Sequence, residues 1–151
     1  MRDFFLRRAR EDDLESVLAL LAAGKLPVDG VADGFGNFVV AEGGLSAIGA
    51  AGMEVYGKYA LLRSAIVAPA WQGYGVGRAL VGEVISRARA RNVDILYLLT
   101  TTAENYFPSF GFERVERSEV PDELGESAEL KGACPATATV MRLYLQGNGR
   151  R

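Results

Sequence analysis

Residues 60–77 read ALLRSAIVAPAWQGYGVG and hold the most informative pattern in the sequence. Its first half is a mostly apolar strand candidate, and Gln72-Gly73-Tyr74-Gly75-Val76-Gly77 leads directly into an amphipathic helix predicted over 77–91. A glycine-rich turn before a helix offers unpaired backbone N–H groups and the positive end of the helix dipole. Because glycine lacks a Cβ and tolerates positive φ, phosphate oxygens can reach those amides. The stretch therefore predicts an anion-binding loop.

Two common phosphate-binding loops do not fit these glycines. A Walker A loop needs Lys and then Ser or Thr after its last glycine, whereas Gly77 is followed by Arg78-Ala79. A Rossmann loop needs a third small residue at a place where this chain has Arg78 or Leu80. The pattern that fits is Gln/Arg-x-x-Gly-x-Gly/Ala, present here as Gln72-x-x-Gly75-x-Gly77.

Strands and helices are predicted on both sides of the loop. The predicted strands are Phe4–Arg8, Asn37–Glu42, Leu45–Tyr56, Tyr59–Val67, Val93–Thr100, Phe112–Arg117 and Thr137–Leu145. Asp12 and Glu15 have the form of a capping box that opens a helix ending at Gly24, and Ala103–Phe110 predicts a short helix closed by Gly111. Leu26–Gly36 is loop-like, and Pro121–Lys131 is either a polar helix or an irregular segment.

Two-residue connections separate the middle strands. Gly43-Gly44 and Gly57-Lys58 have the length of tight antiparallel hairpin turns, which predicts a three-stranded meander. Val93–Thr100 is almost continuously apolar, as in a central strand buried on both faces.

Length, charge and composition narrow the class of protein. The 151 residues predict one domain, residues 1–146, with a flexible tail at 147–151. A net charge of −2 without a dense Lys/Arg block argues against nucleic acid as a partner, and no apolar run suggests a membrane span, so we expect a cytoplasmic protein. With no histidine and one cysteine, the chain lacks the groups for a Ser-His-Asp triad or a zinc site, and we expect no metal.

The loop and the order of the elements around it resemble the GNAT N-acetyltransferase superfamily. The resemblance extends over most of the chain and implies an α/β (α+β) fold. Its central sheet would be mixed and mostly antiparallel, with about seven strands flanked by about four helices and a splay between strands 4 and 5. It also implies acetyl-CoA as the cosubstrate and a small-molecule amine as the acceptor.

Shorter motifs point to subgroups of this superfamily. Leu62-Arg63-Ser64, Leu98-Leu99-Thr100-Thr101-Thr102 and Cys134-Pro135-Ala136 are similar to GNAT proteins of arsenic-resistance operons, and the second motif is also similar to amino-acid N-acetyltransferases. The resemblance implies an amino-acid-like acceptor and a link to arsenic or toxic amino-acid resistance. It also allows a homodimer, because the C-terminal strand often contributes to dimers in the superfamily.

The resemblance assigns coenzyme contacts by position. Ala65, Ile66 and Val67 would pair with the pantetheine arm, and the pyrophosphate would be wrapped by Gln72, Gly73, Tyr74, Gly75, Val76, Gly77 and Arg78. Thr100 and Thr101 would lie at the splay beside the thioester, with Thr101 on the coenzyme and Thr100, Arg63 and Ser64 on the acceptor. An amine would attack the thioester directly in a ternary complex, with a backbone N–H near Ile66–Val67 binding the oxyanion.

Two charges in apolar strand segments have two interpretations. If Gly57-Lys58 is a two-residue turn, Glu54 pairs with Leu61 and becomes a diagonal neighbour of Arg63, so the two side chains could form a structural ion pair. Alternatively, Arg63 receives an acceptor carboxylate while Glu54, directly or through water, removes a proton from the ammonium. The two interpretations are compatible.

The acid that would protonate the leaving thiolate is where the sequence departs from the family pattern. Many GNAT enzymes use the tyrosine of a Tyr-x-x-x-Gly-Phe motif as this acid. Here Gly111-Phe112 matches the end of the motif, and the tyrosine position holds Phe107. Tyr106 is the neighbouring candidate, while Tyr97, Tyr144, Thr102 or water could serve instead. Without the tyrosine hydroxyl, a non-catalytic acetyl-CoA sensor is one alternative function. A separate alternative is an enzyme that acetylates protein N-termini or lysines.

Overall fold

The computed structural model describes residues 2–146, so the predicted tail at 147–151 lies outside the described residues. Its regular elements follow the predicted order. They are β1 (Phe5–Arg8), α1 (Leu14–Ala23), β2 (Phe38–Gly43), β3 (Ser46–Tyr56), β4 (Tyr59–Val67), α2 (Val76–Ala90), β5 (Ile95–Thr100), β6 (Glu113–Val115) and β7 (Thr139–Tyr144). Within this part of the chain, no helix has both the length and the apolar character needed to cross a membrane.

The seven strands form one sheet in the order β1-β2-β3-β4-β5-β7-β6. β5 lies parallel to β4, whereas β1 with β2, β2 with β3, β5 with β7 and β6 with β7 are antiparallel. The predicted mixed, mostly antiparallel sheet is therefore confirmed. The pairing of β4 with β5 runs from Tyr59↔Ile95 to Leu61↔Tyr97, and each strand continues beyond these pairs, β4 to Val67 and β5 to Thr100.

The chain forms two compact units, each with its own apolar core. In the first unit, residues up to Met53 with Arg63–Val84, α1 packs Val17 and Leu21 against Phe38 and Val40 of β2. In the second unit, Glu54–Leu62 with the residues from Ile85 onward, the core contains Leu61, Tyr97, Leu124 and Val140.

The first of the two hairpin turns lies one residue later than predicted. The β2–β3 connection is Gly44-Leu45 rather than Gly43-Gly44, so Leu45 belongs to the turn and not to the strand. Both turn residues have left-handed φ, +57° and +68°, as a type I′ turn requires. Gly57-Lys58 connects β3 to β4 as predicted, with Gly57 at φ +65°.

The helix predictions were wrong in two places. The carboxylate that caps the start of the first helical segment is Asp13 and not Asp12, since the Asp13 Oδ2 accepts the Arg10 N–H at 2.7 Å. The predicted helix Ala103–Phe110 is a turn followed by a 3₁₀ segment over Phe107–Phe110. Pro108 at its start removes a backbone donor, and Gly111 ends it at φ +103°, which leaves too few residues for an α-helix.

Asp13 has a second role that links β1 to the start of α1. Arg7 donates two hydrogen bonds to its carboxylate at 2.8 and 2.9 Å and a third to Glu42 at 2.7 Å. These bonds hold the pKa of Asp13 below its ordinary value of 3.8, against the opposing effect of burial. Because the folded-state pKa lies below the unfolded one, this stabilisation is present above about pH 4 and is lost as pH falls through the folded-state pKa.

We expect Asp13→Asn to lower the free energy of unfolding by about 3 kcal/mol at neutral pH, because it removes one partner of a largely buried pair. The measurement is urea unfolding between pH 3 and pH 7, with the variant approaching the parent protein at the acid end. Asp12→Asn is the matched control, since the Asp12 side chain is 82% exposed and its ion pair with Arg10 is long, at 3.7 Å. Equal losses in the two variants would contradict the assignment.

Candidate active site

The glycine-rich loop lies between the end of β4 and the start of α2, entirely within the first unit. Gly73 and Gly75 have φ of +87° and +84°, and a Cβ built on either would meet no atom within 4 Å. Gln72, Gly73, Tyr74 and Gly75 are all exposed. The glycines are therefore required by backbone conformation and not by packing, and the space in front of them is open to a ligand.

Backbone amides gather at this loop. The first backbone hydrogen bond that enters α2 runs from the Ala79 N–H to the Gly75 carbonyl at 3.1 Å. Within residues 2–146, no backbone carbonyl accepts a bond from the amides of Gly73, Tyr74 or Gly75. The first turn of α2 carries no acidic residue and includes the exposed Arg78. The arrangement presents unpaired N–H groups and an uncompensated helix dipole, which together suit an anion.

Two contacts fix where the loop begins. The Ala68 N–H donates to the Ile48 carbonyl of β3 at 2.8 Å, and the Gln72 side-chain amide donates to the Val67 carbonyl at 3.3 Å. The first residue of the motif therefore tethers the loop to β4 through its side chain, while the glycines that follow remain exposed.

Gly49 in β3 is a site residue that the sequence analysis missed. A Cβ on Gly49 would lie 2.9 Å from the Ile66 carbonyl oxygen, 3.1 Å from a Leu80 methyl and 3.4 Å from a Val76 methyl. β4 and the first turns of α2 thus come together over a position that has no room for a side chain. Because the partners are distant in sequence, no local pattern could have shown this.

We expect Gly49→Ala to cost about 2 kcal/mol of stability, because backbone must shift to admit the methyl group. The shift would displace the Ile66 backbone and the start of α2 together, so the affinity for coenzyme should also fall. Gly82→Ala in α2 is the control, since a Cβ there meets nothing within 4 Å and alanine favours a helix. Urea unfolding and calorimetry with CoA measure the two effects, and an unperturbed Gly49→Ala protein would refute the close approach.

Two aromatic residues of the first unit lie at the loop: Trp71 directly precedes it, and Tyr74 is part of it. The Trp71 ring covers Gly43, where a Cβ would come within 2.7 Å of it, and it contacts the Tyr74 ring edge-on at 6.3 Å between centroids. The Arg2 guanidinium lies 4.7 Å from the Trp71 ring centroid and 5.5 Å from that of Tyr74. Trp71 therefore packs against the end of β2 and the N-terminal segment.

The middle of β4 departs from regular strand geometry at Ser64. Its φ is +63°, which is rare for a residue with a side chain and marks a functional or strained position. Arg63 is 3% exposed, and its Nε donates to the Ser64 Oγ at 2.9 Å while its Nη2 donates to the Pro27 carbonyl at 3.3 Å. The structure therefore joins two predicted acceptor residues to each other and to the predicted 26–36 loop. Ala65, Ile66 and Val67 follow as half-buried strand residues.

The remaining predicted residues belong to the second unit. The Glu54 carboxylate accepts a hydrogen bond from the Tyr56 hydroxyl at 2.7 Å. The predicted ion pair between Glu54 and Arg63 stays a prediction. Thr100 ends β5, and its Oγ1 accepts the Ala103 N–H at 2.9 Å, so it caps the turn that leads to Tyr106. Thr101 is exposed.

Tyr106 and Phe107 differ in their surroundings. Phe107 is 8% exposed and packs edge-on against Phe112, whereas Tyr106 is 38% exposed and contacts the rings of Phe107 and Phe110. Of these two residues, only the exposed one carries a hydroxyl. The alternative acid Tyr97 is 2% exposed, and burial raises the pKa of its hydroxyl.

Comparison with known proteins agrees with this geometry. Residues 34–114 match the family model described as an acetyltransferase (GNAT) domain. An amino-acid acetyltransferase from Ralstonia nicotianae is 31% identical over 130 residues, which is 79% of this chain but only 28% of that protein. The chain thus spans less than a third of this curated relative.

Solved structures share the fold. N-acetylglutamate synthase from Neisseria gonorrhoeae, complexed with coenzyme A and N-acetyl-glutamate, superposes with a TM-score of 0.82 at 19% identity over 97% of this chain and 36% of its own. Rv2747 from Mycobacterium tuberculosis, whose structure contains CoA, gives 0.80 at 23% identity over 94% of this chain and 99% of its own. The match to the family model covers more than half of the residues, and the chain belongs to the GNAT acetyltransferase family.

Proposed function

We propose that this protein is an acetyl-CoA-dependent N-acetyltransferase that acts on the amine of a small, amino-acid-like acceptor. The observation that carries the proposal is the open loop in front of α2, where Gly73 and Gly75 hold left-handed φ and nearby amides are unpaired. A diphosphate is an anion of suitable charge for such a loop. The pyrophosphate contacts then come from Gln72–Arg78.

The chain's own groups supply positioning and proton transfer. Bound acetyl-CoA would provide an activated thioester whose carbonyl carbon a neutral amine can attack. Ala65, Ile66 and Val67 offer strand backbone to the pantetheine arm, and an amide near Ile66–Val67 binds the developing oxyanion. Thr101 stays a predicted coenzyme contact.

Glu54 is our candidate for the base that takes the ammonium proton. The Tyr56 hydroxyl donates a hydrogen bond to the Glu54 Oε1 at 2.7 Å and so orients the carboxylate. A carboxylate can accept the proton of an ammonium directly or through water. Tyr106 is our candidate for the acid at the leaving thiolate, because its ring is exposed where that of Phe107 is buried.

The acceptor class rests on the relatives and on the residues of β4. The curated relative is an amino-acid acetyltransferase, and the N-acetylglutamate synthase structure contains N-acetyl-glutamate. Arg63, Ser64 and Thr100 are the acceptor-binding residues of the proposal, with the Arg63 guanidinium oriented by Ser64 and Pro27. A role in resistance to arsenic-containing or toxic amino acids, a cytoplasmic location and a homodimer belong to the same proposal and follow from the resemblance.

Two measurements test the function. Calorimetry with acetyl-CoA measures coenzyme binding, and release of free CoA thiol in the presence of individual amino acids measures transfer. We expect micromolar binding and thiol release with at least one amino acid. Binding without release for every small amine and every peptide N-terminus would identify a sensor, and release with peptides alone would identify a protein acetyltransferase.

A further inference from the structure

A groove of about 400 Å³ opens where β6 and β7 separate, within the second unit. One wall is the segment from Arg114 to Glu119, and the other is residues 136–140 at the start of β7. This β6–β7 groove is large enough for a small metabolite. Its walls carry charged side chains and threonines, so a polar ligand fits it better than an apolar one.

The charges of the groove are not equally available. Arg114 forms an ion pair with Glu104 at 3.3 Å, and Glu119 forms one with Arg142 at 3.5 Å. Arg117 differs from them, because no carboxylate of residues 2–146 forms an ion pair with its guanidinium. Its Nη2 instead donates to the Pro135 carbonyl at 3.2 Å across the groove. That single bond restricts the guanidinium and leaves most of its five N–H donors to other acceptors.

The groove adjoins the end of β5. Thr139, which lines the groove, pairs directly with Thr100 in the antiparallel register of β5 and β7, and Val140 pairs with Val115 of β6. Residues directly opposite in such a pair have side chains on one face of the sheet with Cβ atoms about 5 Å apart. A ligand in the groove therefore lies one strand away from Thr100.

We propose that the β6–β7 groove binds the carboxylate-bearing end of the acceptor through Arg117. This inference rests on the proposed function, because it uses Thr100 as a residue of the acceptor site. A guanidinium matches a carboxylate with two parallel hydrogen bonds, and one already held by a carbonyl loses little freedom on binding. The substrate class is thereby narrowed to amines that also carry a carboxylate.

The test compares each amino acid with an analogue that lacks one carboxylate. Acetyl transfer is measured with L-amino acids and their α-carboxamides, and with L-glutamate against L-glutamine, for the parent protein and for Arg117→Gln, Arg117→Lys and Arg8→Gln. Arg8 is an exposed arginine of β1 and serves as the matched control. We expect Arg117→Gln to lower kcat/KM for the carboxylate form by about 10- to 100-fold. For the carboxamide, kcat/KM of the variant should stay within about threefold of the parent value.

The outcomes separate this inference from the function. Arg117→Lys should retain only part of the preference for carboxylate, and neither Arg117 variant should change the KM for acetyl-CoA. Equal effects on acid and carboxamide, or no effect on either, would overturn the groove assignment while leaving the acetyltransferase intact. If no acceptor releases thiol, the proposed acetyltransferase function is refuted instead. Calorimetry of L-glutamate binding to the complex with CoA then tests the groove assignment by itself. The assignment is supported if the parent protein binds L-glutamate and Arg117→Gln does not. It is refuted if both proteins bind L-glutamate equally or if neither binds it.

Discussion

Gly75→Val is expected to raise the dissociation constant of acetyl-CoA at least ~100-fold while leaving the protein folded. Gly75 has φ +84°, and the space where a Cβ would stand is empty. In the proposed complex a phosphate oxygen fills that space and accepts bonds from the surrounding amides. A valine there would exclude the phosphate, and each lost bond to a charged group is worth about 1.5 to 3 kcal/mol. Calorimetry with acetyl-CoA measures the loss directly.

Gly57→Val provides a control with matched backbone strain. Gly57 also has left-handed φ, +65°, and a Cβ there also meets nothing within 4 Å, but it lies in the β3–β4 turn. Both substitutions should cost about 1 to 2 kcal/mol of stability, because a side chain disfavours left-handed φ. Only Gly75→Val should lose coenzyme binding. If the two variants bound acetyl-CoA equally well, the loop would not hold the pyrophosphate.

The coenzyme loop could be predicted from sequence because all its determinants are local. The strand, the glycines and the start of α2 lie within 60–77, and the residues that create the anion site are consecutive. Hairpin and helix boundaries were predicted less accurately, because neighbouring residues of similar chemistry can take the same position. Asp13 caps the first helical segment instead of Asp12, since Arg7 on β1 also engages its carboxylate.

Features that depend on distant residues could not be predicted. Gly49 has no local signature, and its importance appears only when the Ile66 carbonyl and α2 are packed over it. The left-handed φ of Ser64 is unusual within a strand, and its hydroxyl accepts a hydrogen bond from Arg63, which also bonds to the distant Pro27. Likewise, the β6–β7 groove joins 114–119 to 136–140 through a register that only the folded sheet defines.

Glu54→Gln is expected to lower kcat by about 100- to 1000-fold at pH 7, the range typical of losing a general base. The amine reaches the site as an ammonium ion, and a carboxamide cannot take its proton. The variant must then rely on acceptor molecules that are already neutral, so its rate should rise about tenfold per pH unit up to the pKa of the amine. The parent protein should show a much flatter profile over the same range, and the two should converge at high pH.

Three comparisons test whether Glu54 is the group that takes the ammonium proton. Tyr56→Phe removes the hydroxyl that orients the Glu54 carboxylate and should cost about tenfold or less, with the pH profile of the parent retained. Glu11→Gln changes an exposed carboxylate on the first unit and should leave the rate unaltered. Acetyl-CoA affinity should be the same in all of these proteins, since none of these side chains belongs to the loop before α2. A Glu54→Gln profile parallel to that of the parent at every pH would assign proton removal to another group.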